Sequence, residues 1–262
     1  MVEQLEFDFG DEKKEYCINK KIRLIELFAG YGSQSLAMQR IGADFESYKA
    51  VEFDSHACNL YNKIHDTNFP VLDITKIHAE DLEIIEDSKY EYILFYSFPC
   101  TDLSVAGKQK GMKRDSGTRS GLLWEVERLL KENIELTRND KMYCMPSVLI
   151  LENVPQVHSK KNILDFQEWI NFLKNLGYSS YWQDVNAKNM GIPQNRNRTF
   201  MVSILGDYNF TFPNSIPLHF CCADILEDEV DEKYFIKNEK ADKLIEQLIV
   251  EKKIPELENG NN

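Results

Sequence analysis

Short apolar runs that alternate with stretches of helical spacing constrain this chain more than any other feature. The runs are Ile22–Leu27, Tyr48–Glu52, Tyr92–Tyr96 and Val148–Leu151, and the helical stretches are roughly 33–41, 57–63, 121–137 and 164–176. Parallel strands need crossovers long enough to hold a helix, and those helices cover both sheet faces. The pattern predicts an α/β fold with a doubly wound, mostly parallel sheet. Ser179–Val185 and Thr199–Leu205 are expected to close that sheet as a pair, with antiparallel pairing as one option. Ligands of such a sheet sit beyond the carboxyl ends of its strands.

Residues 1–21 read as a polar arm, 22–205 as the domain built on the sheet, and 206–262 as a short C-terminal extension. Within the extension, Phe210–Pro217 is rich in turn residues, Glu239–Lys252 has helical spacing, and Glu256–Asn262 is expected to fray. A chain of 262 residues can bury a full core. No apolar run approaches the ~20 residues that span a bilayer. The acidic start, Met1–Asp8, lacks the basic and apolar regions of a signal peptide. A cytoplasmic protein with no membrane partner is expected. The six cysteines include no CxxC pair, so no metal site is expected. Cys17, Cys58, Cys144, Cys221 and Cys222 read as small buried hydrophobes.

The net charge of −12 argues mildly against a nucleic-acid partner, but the charge is uneven. Acids crowd Glu227–Glu232, whereas Lys108, Lys110, Lys113, Arg114 and Arg119 cluster in one polar stretch. A local basic loop can face phosphates while the remaining surface stays acidic.

Two groups of predicted strand ends carry chemistry. After the first run, Phe28-Ala29-Gly30-Tyr31-Gly32 is a glycine turn between strand and helix, where the backbone can bend sharply and approach a ligand. Glu52 ends the next run, at the distance where an acid accepts hydrogen bonds from ribose hydroxyls. Asp73, in Val71–Thr75, is read as closing a third strand and receiving an adenine amino group. The second place is Pro99-Cys100, which ends the Tyr92 run and is followed in order by Glu152 and by Arg196 and Arg198. The two arginines alternate on an extended segment and so project to one side.

These residues fall within recognisable motifs. In order they are Leu24-Ile-Glu-Leu-Phe-Ala-Gly-Tyr-Gly-Ser33, Phe98-Pro-Cys-Thr-Asp-Leu-Ser-Val-Ala-Gly-Lys-Gln-Lys-Gly111, Arg119-Ser-Gly-Leu-Leu-Trp124, Leu151-Glu-Asn-Val-Pro155 and Gln194–Arg198. With them the chain resembles the DNA cytosine-5 methyltransferases. The resemblance implies a Rossmann-like sheet of the S-adenosylmethionine-dependent methyltransferase type. It places S-adenosylmethionine among Phe28, Ala29, Gly30, Gly32, Glu52, Asp73, Ile74, Pro99 and Leu122.

It also implies DNA as partner, with the target cytosine flipped out, in the setting of a restriction-modification system. Cys100 is then the nucleophile that bonds carbon 6 and makes carbon 5 reactive. Glu152 would bond ring nitrogen 3 and the exocyclic amine. Of Arg196 and Arg198, one would contact the base carbonyl while the other supports Glu152 or a phosphate. Asn153 would orient the loop or hold the carboxyl group. Ser104 would orient the loop Ser104–Gly121, which is expected to close over DNA and carry Lys108, Lys110, Lys113 and Arg114 to the phosphates.

The pattern breaks after Arg198. Single-chain family members continue with a target-recognition region and then two closing motifs, whereas 64 residues follow Arg198 here. Asn259-Gly260-Asn261 lacks the strand-helix unit of the last motif. The expectation is a split enzyme whose second polypeptide carries recognition and closing motifs. A truncated product would look the same. The rival readings are a tRNA cytosine-5 methyltransferase and a catalytically silent subunit that binds nucleic acid or donor.

Overall fold

The computed structural model describes residues 14–103, 111–114, 116–219, 224 and 226–251. The chain forms two compact units, Met1–Leu218 and His219–Asn262. The first unit carries β1 (Lys14–Glu15), β2 (Lys21–Leu27), α1 (Ser33–Arg40), β3 (Phe45–Val51), α2 (Ser55–His65) and β4 (Tyr90–Tyr96). It continues with α3 (Leu123–Asn139), β5 (Val148–Asn153), α4 (Ile163–Asn175), β6 (Tyr178–Asn186), β7 (Asn197–Leu205) and β8 (Tyr208–Asn209).

Six of these strands form one sheet in the order β3-β2-β4-β5-β7-β6. The first four are parallel, and β7 runs antiparallel to both β5 and β6. From β2 the chain crosses to β3 on one side and then returns to β4 on the other. The strand order therefore reverses between β2 and β4, which opens a crevice at their carboxyl ends. A separate parallel ladder of two rungs sets Lys14 beside Tyr208 and Glu15 beside Asn209.

The apolar runs are continuous because both sheet faces are covered. Ile25, Leu27, Leu94, Tyr96, Leu149 and Leu151 face the larger core, with Leu123, Val126 and Leu130 of α3 and Phe166, Trp169 and Leu173 of α4. The alternate residues Ile22, Leu24, Ile93 and Val148 enter a second cluster with Met38 of α1. Helix α2 starts where Asp54 accepts the backbone N–H groups of His56 and Ala57, satisfying donors that a helix start leaves open.

One expectation is corrected. Val71–Thr75 is not a strand. Leu72 donates one backbone hydrogen bond to the Glu52 carbonyl, and then Asp73 turns the chain by accepting the N–H and hydroxyl of Thr75. An aspartate that bonds its own backbone two residues on competes with a ladder and favours a turn.

In the second unit, α5 (Glu239–Val250) is capped by Asn238, and its Leu244 and Ile245 are exposed. No described helix is long and apolar enough to cross a membrane.

Candidate active site

The glycine turn after β2 has a left-handed backbone at Phe28, Gly30 and Gly32, with φ of 60°, 56° and 81°. It is held by Glu52, whose Oε2 accepts the Gly30 N–H at 2.9 Å while Oε1 accepts the Asp54 N–H at 2.8 Å. Gly32 sits against α2, where an added Cβ would lie 2.2 Å from His65 Nε2. A Cβ on Gly30 would meet nothing within 4 Å. One glycine thus serves packing and the other leaves open space.

A cleft of about 420 Å³ opens at the crevice. Phe28, Glu52, Asp73, Ile74, Pro99 and Leu122 all line it, joined by Phe53, Ser97 and Arg119. Ala29 is buried beneath the turn and does not line the cleft. Phe53, 66% exposed, was not singled out from sequence. Its one signal is its place directly after the strand-end acid. The backbone and hydroxyl donors of Thr75 hold the Asp73 carboxyl group below the usual carboxylate range.

Cys100 is half-buried against the larger core. Its loop is tied down on several sides. The Pro99 carbonyl accepts the Ser120 hydroxyl at 2.7 Å, and the Phe98 carbonyl accepts the Asn153 amide at 3.0 Å. Two residues past the cysteine, Asp102 accepts the Arg119 N–H with its carboxylate and the Gly111 N–H with its carbonyl. Glu152, beside Asn153 at the end of β5, pairs through Oε1 with Arg198 Nε at 3.0 Å and lies 3.9 Å from Arg196. Both arginines do project to one side, and they meet the same carboxyl group.

Arg114, expected at phosphates, has partners within the protein. Its guanidinium pairs with Glu127 at 2.5 Å and Glu168 at 2.7 Å, and it stacks 3.8 Å above Trp124. These acids belong to α3 and α4. Lys113 is exposed. Ser104, Lys108 and Lys110 lie outside the described residues, as do Cys221, Cys222 and Asn259–Asn261. Among the described residues no group of three or more His, Cys, Asp or Glu side chains is placed to hold a metal ion.

The family description C-5 cytosine-specific DNA methylase matches residues 22–261. The chain belongs to that family. Within the C-5 cytosine-specific DNA methylases it is 32% identical to the type II methyltransferase M2.ScrFI of Lactococcus lactis subsp. cremoris, over 83% of this chain and 71% of that protein. It is 31% identical to the orphan methyltransferase M.SssI of Spiroplasma monobiae, over 84% of this chain and 68% of that protein. With the type II methyltransferase M.HhaI of Haemophilus parahaemolyticus it shares 29% identity over 84% of this chain and 61% of that protein. The solved structure of S. pombe Dnmt2 methyltransferase shares the fold, with a TM-score of 0.60 and 18% identity over 87% of this chain and 66% of that one.

C-5 cytosine methylases take their methyl group from S-adenosylmethionine. The cleft suits such a ligand. Its volume falls in the range of about 300–1,000 Å³ usual for small-molecule sites. Phe28, Phe53, Ile74 and Leu122 offer apolar walls for a purine, and Glu52 and Asp73 offer carboxylate acceptors.

Proposed function

We propose that this chain is the catalytic part of a DNA cytosine-5 methyltransferase, which methylates carbon 5 of a cytosine turned out of the duplex through a covalent bond from Cys100 to carbon 6. The observation that carries this reading is the Glu152–Arg198 pair at 3.0 Å, on a strand end that Asn153 ties to the Cys100 loop. S-adenosylmethionine supplies a methyl group activated by the positive charge on its sulfur. Phe28, Gly30, Gly32, Glu52, Asp73, Ile74, Pro99 and Leu122 would hold it, with Ala29 shaping the turn from beneath.

The Cys100 thiolate adds to carbon 6, and the displaced electron pair makes carbon 5 nucleophilic enough to take the methyl group. As the adduct forms, the Glu152 carboxyl group gives a proton to ring nitrogen 3 and accepts from the exocyclic amine, which neutralises the charge developing on the ring. The proton returns to Glu152 when the thiolate leaves. Arg198 fixes that carboxyl group, while the more exposed Arg196 reaches the base carbonyl or a phosphate. The carbon 5 proton then leaves to water, its bonding pair restores the ring double bond, and the Cys100 thiolate is expelled.

Target recognition is read as lying outside this chain, in a second polypeptide. The chain spans 71% of the length of M2.ScrFI and 54% of that of M.SsoII of Shigella sonnei. The experiment is transfer of labelled methyl by this chain alone to unmethylated DNA and to tRNA, with Cys100→Ala as control. Transfer to DNA that the substitution abolishes supports the covalent mechanism and removes the need for a second polypeptide. Transfer to tRNA in its place moves the substrate assignment. A folded chain that transfers to neither, even with a candidate second polypeptide added, overturns the reading.

A further inference from the structure

The sheet face opposite Glu152 carries a polar rung. Asn153 pairs with Thr199 between β5 and β7, and Thr199 pairs with Asp184 between β7 and β6. Partners across antiparallel strands share a face, and neighbours along a strand alternate. The rung therefore lies on one face, while Glu152, Phe200 and Arg198 lie on the other.

Within the rung, Thr199 Oγ1 donates to Asp184 Oδ1 at 2.5 Å. The same oxygen accepts His158 Nε2 at 3.0 Å. A carboxylate oxygen has two lone pairs and can satisfy both donors, so Nε2 is the ring nitrogen that carries the hydrogen. Thr199 is fully buried, and its hydroxyl needs this partner. His158 ends the short turn Pro155–His158, which follows Glu152 within a few residues. Its ring lies 4.7 Å from Trp182, two residues before Asp184 on the same face of β6.

We propose that Asp184 is a positioning residue for the Glu152–Arg198 pair. It grips the turn that follows Glu152 through His158, and the strand that bears Arg198 through Thr199. The two segments are thereby held in one register, and the pair on the opposite face keeps its 3.0 Å contact. This inference rests on the catalytic reading of Glu152 and Arg198 given above.

The test compares Asp184→Ala with Asp184→Asn. Asparagine keeps an oxygen that accepts from both donors, and alanine keeps none. Asp184→Ala is expected to lose about 100-fold in kcat, the scale of a 1 Å misplacement, with the KM for S-adenosylmethionine unchanged because the donor cleft lies at β2 and β4. Asp184→Asn should restore most of the rate. Crystal structures of both variants read the Glu152–Arg198 separation without relying on activity. Loss of the contact in the alanine variant and its retention in the asparagine variant is the expected result. An intact contact in Asp184→Ala overturns the inference, whether or not the wild type is active. Absence of transfer by the wild type, even with a candidate second polypeptide added, would instead count against the catalytic reading. Should Asp184→Ala fail to fold, Thr199→Val removes the hydroxyl donor alone and is read the same way.

Discussion

The side-chain amide of Asn153 donates to the carbonyl oxygen of Phe98 at 3.0 Å, so the end of β5 and the loop presenting Cys100 are one mechanical piece. Asn153 also accepts the Val154 N–H at 2.9 Å. Asn153→Leu should leave the buried Phe98 carbonyl without its donor and lower the unfolding free energy by about 1–3 kcal/mol in a denaturant titration. Methyl transfer should fall by more than the loss of folded protein explains. An unfolding midpoint equal to that of the wild type would show that the two segments are held by something else.

Gly30 and Gly32 should respond differently to alanine. Gly30→Ala brings left-handed strain of about 1–2 kcal/mol and no clash. Gly32→Ala adds a collision with Tyr61 and His65, for which overpacking costs of a further ~1–3 kcal/mol are usual. Thermal unfolding should rank the two in that order. Calorimetry with S-adenosylmethionine should find weakened binding in the milder variant, because its new methyl group occupies open space at the turn.

Lys113 and Arg114 are neighbours with different commitments. Lys113→Ala should reduce the slope of log affinity for DNA against log salt by about 0.9, the effect of one lost phosphate contact. Arg114→Ala should leave that slope unchanged. It should instead lower stability, since Glu127 is 3% exposed and loses one of its two cationic partners. A salt slope altered by Arg114→Ala alone would reverse the assignment.

Glu26 gives the fold a pH dependence. Burial raises its carboxyl pKa, opposed in part by hydrogen bonds from Ser35 and Tyr61. The folded state therefore keeps a proton that the unfolded chain releases. Stability from this group is fully present below the ordinary carboxylate range and is lost as pH rises through the raised value. Denaturant titrations from pH 4 upward should show that decline in the wild type. Glu26→Gln should lack it, and an identical slope in both proteins would remove Glu26 as the cause.

Much of this was legible in sequence because parallel strands buried on both faces leave uninterrupted apolar runs. Ile22–Leu27 and Tyr92–Tyr96 announced their positions in that way, and the motifs at their ends converge on one cleft. Val71–Thr75 was misread because a short apolar segment looks alike in a strand and in a turn, and the Asp73 side chain decides between them. The insertion of β7 between β5 and β6 follows from pairing rather than from local pattern. The ion pairs of Arg114 were not legible because Glu127 and Glu168 meet it only through the packing of two helices. His158, Asp184 and Thr199 carry no motif between them; only the register of β5, β7 and β6 assembles the group.

The small ladder of β1 and β8 has a consequence for how this molecule can be re-engineered. Lys14 and Tyr208 are neighbours, so the described path of the first unit returns at its last strand to the side of its first. A short peptide can bridge the two strands, and new ends can be opened in the exposed turn at Asp140–Met142 between α3 and β5. Such a circular permutant would keep every rung of the six-stranded sheet while reversing the chain order of the Cys100 and Glu152 segments.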